Sequence, residues 1–136
     1  MKIEKFEDLR ILAVDDERIT LSRIERILNK LGIDQVVTMG SASEALTFIR
    51  EQSDAIDVVL VDMFMPENDG VDVIVGLKAI GFQGCIAIIS GGDDRVLAGA
   101  EVLARAKDVE ILGTLKKPVS ADDLKTLLSK VISPAA

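Results

Sequence analysis

Short apolar runs alternate along the chain with segments in which apolar residues recur every three or four positions. The runs are rich in β-branched residues and predict five strands, at residues 10–15, 35–39, 57–62, 85–90 and 111–116. The spaced segments predict five helices, around residues 21–31, 45–49, 71–80, 96–104 and 124–131. This regular alternation of strand and helix is typical of βα units, which build a parallel sheet.

Several predicted helices are bounded by residues that favour helix ends. Gly32 and Gly81 follow the first and third helices, where a left-handed glycine commonly ends a helix. The sequence Ser-Ala-Ser-Glu at 41–44 predicts a capping box before the second helix, and Ser120 is placed to cap the last one. These signals support the boundaries that the apolar spacing predicts.

The strands differ in how apolar they are, and this difference predicts their places in the sheet. Residues 58–61, Val-Val-Leu-Val, are apolar at every position, as expected of a central strand covered on both faces. Residues 34–39 are more mixed, which suits an edge strand. With 136 residues, 49% of them hydrophobic, we expect one α/β domain over residues 1–136. Its predicted fold is a doubly wound, five-stranded parallel sheet flanked by five helices.

Charge and composition exclude several classes of function. The net charge of −7 argues against a nucleic-acid-binding surface. The charged start of the chain and the shortness of its apolar runs predict a protein that neither enters nor binds a membrane. The single cysteine excludes an intramolecular disulfide and suits a reducing compartment, so we expect a cytoplasmic protein. Because histidine is absent, a serine–histidine triad and an HExxH zinc site are excluded.

Polar and charged residues stand at the carboxyl ends of four of the five predicted strands. Residues 15–17, Asp-Asp-Glu, follow the first strand, and Asp62 ends the third. Ser90 ends the fourth, and the lysines at 116–117 end the fifth. Ligands of open α/β sheets bind beyond these strand ends. Each residue alone has an ordinary explanation as a helix-terminal charge, a turn residue or a solvated lysine, so the prediction of a site depends on their joint placement.

Asp15, Asp16 and Asp62 are expected to converge at one edge of the sheet. Three carboxylates there would repel one another unless a positive charge balanced them. A hard divalent cation such as Mg²⁺ would do so, because it prefers oxygen ligands, and a lysine from the fifth strand would add further positive charge. A site of this kind suits phosphoryl transfer, in which the protein mainly positions groups and neutralises charge.

Four segments together resemble the receiver domain of two-component response regulators: VDDE, LVDMFMPENDGVDVI, IISGG and LKKPVS. The resemblance covers about residues 8–132. It implies a flavodoxin-like fold with the strand order 2-1-3-4-5, which makes the four strands with polar ends neighbours. It also implies a function in phosphorelay signal transduction.

The resemblance assigns roles to the residues at these positions. Asp62 is expected to accept a phosphoryl group from a phosphohistidine. Ser90 is expected to hydrogen-bond that group. Lys117, which precedes Pro118, is expected to pair with a phosphoryl oxygen. Composition does not distinguish Lys117 from Lys116. The cofactor is expected to be Mg²⁺.

The same resemblance also predicts the metal ligands. Asp16, Asp62 and the backbone carbonyl of Phe64 are expected to bind the Mg²⁺ ion directly. Asp15 is expected to act through a water molecule bound to the metal.

The resemblance implies partners of two kinds. A sensor histidine kinase or a phosphotransfer protein would supply the phosphoryl group, and a downstream protein or a covalently linked output domain would respond to it. The fourth helix, fifth strand and fifth helix would form the responding face and a possible homodimer contact. Thr114 stands where the family often has an aromatic switch residue, so this part of the signal is expected to differ. The domain is expected to be a phosphoacceptor switch that assists its own phosphorylation and dephosphorylation, not an enzyme.

Four alternatives stay open at the level of sequence. Residues 89–120 look like receivers that precede cyclic-di-GMP phosphodiesterase domains, so the chain could be the receiver part of such a regulator. A pseudo-receiver would bind partners without phosphorylation. A haloacid-dehalogenase-type hydrolase is disfavoured because Phe64 stands where its acid/base aspartate belongs. A nucleotide-binding domain is disfavoured because residues 14–20 lack glycine and no P-loop motif is present.

Overall fold

The structure, a computed structural model, describes residues 3–63, 65, 70–91, 99 and 111–133. Its strands are β1 (Arg10–Val14), β2 (Gln35–Met39), β3 (Val58–Asp62), β4 (Cys85–Ser90) and β5 (Gly113–Lys116). The α-helices of these residues are α1 (Arg18–Lys30), α2 (Ala42–Gln52), α3 (Gly70–Ile80) and α4 (Ala121–Ser129). The helix predicted around residues 96–104 lies, apart from Gly99, outside the described residues, and α4 corresponds to the predicted fifth helix.

The five strands form one parallel sheet in the order β2-β1-β3-β4-β5, which confirms the predicted fold and strand order. One apolar cluster packs α1 and α4 against one face of the sheet. A second cluster packs α2 and α3 against the opposite face. All five residues of β3 are buried, as expected of a strand covered on both faces, whereas β2 lies at an edge. None of the described helices is both long and apolar enough to cross a membrane.

Local signals in the sequence account for several helix boundaries. The side chain of Ser120 accepts a hydrogen bond from the backbone N–H of Asp123 at 3.1 Å, which satisfies a free donor in the first turn of α4. Ser41 accepts from the N–H of Glu44 at 3.2 Å in the same way before α2. Gly32 follows α1 with φ +90°, a conformation that side chains with a Cβ rarely adopt. The helices that flank the site therefore start and end where local chemistry favours it.

An ion pair between half-buried Arg10 and buried Asp57 joins the amino ends of β1 and β3, at the edge of the sheet opposite to the polar strand ends. The carboxylate of Asp57 accepts hydrogen bonds from Arg10 at its backbone N (2.9 Å), Nη2 (3.0 Å) and Nε (3.2 Å). Asp57 N donates in turn to Arg10 O at 2.8 Å. The hydrogen bond that the Arg10 side chain donates to Asp57 raises the pKa of Arg10 against the opposing effect of burial. These contacts hold the two central strands together where they begin.

We expect the substitution Asp57→Asn to destabilise the fold. The neutral amide has only one acceptor oxygen, so it cannot replace both charge-assisted hydrogen bonds from the guanidinium. The expected loss is about 2 kcal/mol in the free energy of unfolding, the range for hydrogen bonds to charged groups. Urea unfolding followed by far-UV circular dichroism measures it. The exposed Asp34, just before β2, gives the matched control: Asp34→Asn should change the stability by less than ~0.5 kcal/mol. Equal effects of the two substitutions would contradict the structural role of Asp57.

Candidate functional site

Three aspartates meet at the carboxyl edge of the sheet. Asp62 is the last residue of β3, and Asp15 follows β1 directly. Because Val14 and Val61 are register partners in neighbouring parallel strands, the two aspartates lie side by side. Asp16 offers a third carboxylate, and one oxygen from each of the three lies within 4.8 Å of the others. Asp15 and Asp62 are buried, whereas Asp16 is exposed, so the cluster opens to solvent on the side of Asp16.

The two oxygens of the Asp15 carboxylate have different surroundings. Its Oδ1 accepts a hydrogen bond from the backbone N of Glu17 at 2.8 Å, and its own N donates to Met39 O in β2 at 3.1 Å. Oδ2 is fully buried and accepts no well-directed hydrogen bond from the described residues. A buried carboxylate oxygen of this kind is costly unless a cation lies near it. The three clustered carboxylates carry more negative charge than one lysine balances, and this donor set fits a hard divalent cation.

Lys117 is fixed at the same edge by the start of the loop after β5. Its backbone N donates to Ser90 O at 3.0 Å, which continues the pairing of β4 with β5 beyond the last strand residue. The peptide bond between Lys117 and Pro118 is cis. The Lys117 side chain is only 19% exposed, whereas Lys116 lies on the exposed side of the strand. The structure thus distinguishes two lysines that composition alone could not.

The Lys117 ammonium contacts three carboxylates. Nζ lies 2.9 Å from Asp15 Oδ2, 2.9 Å from Glu17 Oε1 and 3.5 Å from Asp62 Oδ1. Burial alone would lower the pKa of Lys117, but the attraction of Asp15, Glu17 and Asp62 outweighs burial and raises it. Lys117 is therefore a permanent positive charge at neutral pH, placed between the two buried aspartates.

Glu17 is a site residue to which the sequence assigned no role. Its Oε1 accepts hydrogen bonds from Thr20 Oγ1 at 2.7 Å and from Lys117 Nζ at 2.9 Å. The Thr20 hydroxyl, together with Lys117, lowers the pKa of Glu17. The local sequence signal was the third acidic residue after β1, but the lysine that it contacts is 100 residues away in the chain.

Ser90 lies at the end of β4, next to the aspartate cluster. It is fully buried and follows Ile89, the register partner of Asp62. Gly91 is exposed. A side chain at this position would contact the aliphatic part of Lys117. Phe64, whose carbonyl is a predicted metal ligand, lies outside the described residues, so its role stays a prediction.

The chain matches a family model for response regulator receiver domains over residues 11–129. It belongs to this family. Receivers are the signalling domains of two-component systems, so the resemblance noted from the four sequence segments is confirmed at the level of the family.

Three relatives show how far the likeness extends. The two-component response regulator ARR11 of Arabidopsis thaliana is 32% identical to the receiver over 126 residues, which are 91% of this chain and 22% of the plant protein. The chemotaxis protein CheY of Bacillus subtilis is 30% identical, and the match covers 91% of this chain and 98% of CheY. A crystal structure of a receiver domain protein from Clostridium thermocellum superposes with a TM-score of 0.78 at 33% identity, covering 91% of this chain and 94% of the other. The chain thus spans less than a quarter of the plant relative and nearly all of CheY.

We expect Lys117→Met to destabilise the receiver in the absence of divalent cations, because it leaves the buried aspartates without their positive neighbour. The expected loss is about 2 kcal/mol, below the ~3–5 kcal/mol of a fully buried pair, since the site opens to water beside Asp16. Saturating Mg²⁺ should recover part of that loss, because an ion that binds only the folded state stabilises it.

Urea unfolding in EDTA and in Mg²⁺, followed by circular dichroism, measures both effects. Lys116→Met is the matched control, because it removes the same charge from the exposed neighbour, and it should change stability by less than ~0.5 kcal/mol. A Lys117→Met protein as stable in EDTA as the Lys116→Met protein would contradict the charge balance described here.

Proposed function

We propose that the receiver accepts a phosphoryl group on Asp62, from a phosphohistidine of a sensor histidine kinase or a phosphotransfer protein. The observation that supports this most directly is the position of the Lys117 ammonium, 3.5 Å from Asp62 Oδ1 and 2.9 Å from a carboxylate oxygen of Asp15. A positive charge beside a buried carboxylate is what an incoming phosphoryl group needs for its oxygens. The chain contains no histidine, so the donor must be another protein or a small molecule.

In the proposed reaction an Asp62 oxygen attacks the phosphorus atom. A P–O bond to Asp62 forms while the P–N bond of the phosphohistidine breaks, and the imidazole leaves with the electron pair. Lys117 balances the charge on the phosphoryl oxygens, and the Ser90 hydroxyl, buried at the neighbouring strand end, donates a hydrogen bond to one of them. The burial of Asp62 limits the access of water to the acyl phosphate that results.

We propose Mg²⁺ as the cofactor, held by Asp16 and Asp62 directly and by Asp15 through a water molecule, with the Phe64 carbonyl as a further ligand. The proximity of the three carboxylates, whose charge one lysine does not balance, supports a divalent cation at this place. When bound, the ion supplies positive charge that offsets the repulsion between the carboxylates and an incoming phosphoryl group.

The output proposed is a change in the surface shown to a partner. Ser90 and Lys117 turn towards the phosphoryl group and move the strand ends that carry them. The population of the domain then shifts from one surface conformation to another. The responding face would include β5, α4 and the helix predicted around residues 96–104, and it would contact a downstream protein, a linked output domain or a second copy. We propose the cytoplasm as the compartment, and a phosphoacceptor switch rather than an enzyme as the activity.

A single experiment separates this proposal from its alternatives. Incubation with Mg²⁺ and acetyl phosphate, followed by intact-mass measurement, should add one phosphoryl group to the receiver and none to Asp62→Asn. Asp54→Asn, an exposed aspartate outside the site, should be phosphorylated like the native chain.

Two other results would reject the proposal. Continuous release of inorganic phosphate from many substrates would favour a hydrolase. The absence of any adduct, with acetyl phosphate and with a phosphorylated histidine kinase alike, would favour a pseudo-receiver.

A further inference from the structure

Glu17 stands at the N-cap position of α1, but its side chain does not cap the helix. The N-cap residue commonly accepts a hydrogen bond from a backbone N–H of the first turn, and the Glu17 side chain makes no such bond. Its carboxylate turns to Lys117 and Thr20 instead. The side chain is 59% exposed and makes no capping bond, so hydrogen bonding at the start of the helix does not explain this arrangement.

The contact with Glu17 occupies one N–H group of the lysine that the proposed reaction uses. A lysine ammonium has three N–H groups. Two carboxylate oxygens lie 2.9 Å from Nζ, one on Asp15 and one on Glu17, while the nearest Asp62 oxygen lies at 3.5 Å. Lys117 is thus drawn closer to its two flanking carboxylates than to the residue that is phosphorylated.

The Glu17 carboxylate is itself held in this position by Thr20. The Thr20 hydroxyl donates to the same Oε1 that accepts from Lys117, at 2.7 Å. The Glu17 backbone is also fixed, since its N–H donates to Asp15 Oδ1 at 2.8 Å. An exposed glutamate that is anchored at both its backbone and its carboxylate loses less conformational entropy in an ion pair than a free one does.

We propose that Glu17 is a positioning residue that holds Lys117 back from Asp62 until a phosphoryl group displaces it, and so slows phosphorylation by small phosphodonors. This inference rests on the proposed function of Asp62 and concerns the regulation of the same site. The phosphoryl oxygens must draw Lys117 Nζ towards Asp62, which stretches its 2.9 Å contact with the Glu17 carboxylate. Exposed ion pairs contribute little free energy, so the expected brake on the rate is about two- to fivefold.

The test is the rate at which acetyl phosphate phosphorylates the full chain at saturating Mg²⁺, followed by intact mass over time. In each turnover a P–O bond to Asp62 forms, the bond between phosphorus and the acetyl oxygen breaks, and acetate leaves with the electron pair. Glu17→Gln should react about two- to fivefold faster than the native chain. Thr20→Val should also react faster, by a smaller factor, because it keeps the charge but loosens the carboxylate.

Glu25→Gln provides the matched control for charge. It removes one negative charge from an exposed position on the same helix and should react at the native rate. The unfolding midpoints of all three variants should stay close to the native value, which excludes a change in folding as the cause of a change in rate.

The outcomes separate this inference from the proposed function. A native chain that takes up no phosphoryl group, from acetyl phosphate and from a phosphorylated histidine kinase alike, would reject the function of Asp62 itself. A native chain that is phosphorylated, with Glu17→Gln reacting no faster, would overturn only the role of Glu17. An equal acceleration by Glu25→Gln would also overturn that role, since the effect would then come from the net charge of the protein. A Thr20→Val protein that reacts at the native rate would overturn it too.

Discussion

The balance of charge at one edge of the sheet is the constraint on which the rest of this structure depends. A parallel sheet places the carboxyl ends of its strands on the same edge, so an aspartate after β1 and another at the end of β3 become neighbours. Two such buried carboxylates repel each other strongly where water is scarce. Lys117 is the positive charge that the fold brings to them, and the third carboxylate of the cluster, on Asp16, leaves negative charge for a cation to balance.

The remainder of the fold keeps these charges in a fixed geometry. Both faces of the sheet are covered by apolar clusters, so the strands cannot move apart to relieve the repulsion without exposing core residues. At the opposite edge, Arg10 and Asp57 join the beginnings of β1 and β3. The exposure of Asp16, in contrast with its two buried neighbours, gives the site one open side through which an ion or a donor can approach.

The architecture was predictable from the sequence because its signals are local. The fully apolar run at 58–61 indicated a central strand, the mixed run at 34–39 indicated an edge, and both positions are confirmed. The serine before α4 indicated its start, and the structure shows the corresponding hydrogen bond. These signals depend on residues a few positions apart, so they can be recognised without knowledge of the long-range contacts.

The site was only partly predictable, because its contacts join distant parts of the chain. The alternation of strands and helices placed Asp15, Asp16 and Asp62 at one edge, but it could not choose between the lysines at 116 and 117. That choice depends on which side chain leaves the strand towards the aspartates. The contact between Glu17 and Lys117 was missed for the same reason, since 100 residues separate the two and neither has a local signal for the other.

The central claim is that Asp62, balanced by Lys117, is the carboxylate that receives phosphorus. Reduction with borohydride converts an aspartyl phosphate to homoserine, so peptide mapping of the reduced protein locates the acyl phosphate by residue. After treatment with acetyl phosphate and Mg²⁺, the account predicts homoserine at position 62 and unmodified aspartate at positions 15 and 16. Homoserine at position 15 or 16, or phosphorylated protein that yields no homoserine at position 62, would contradict it.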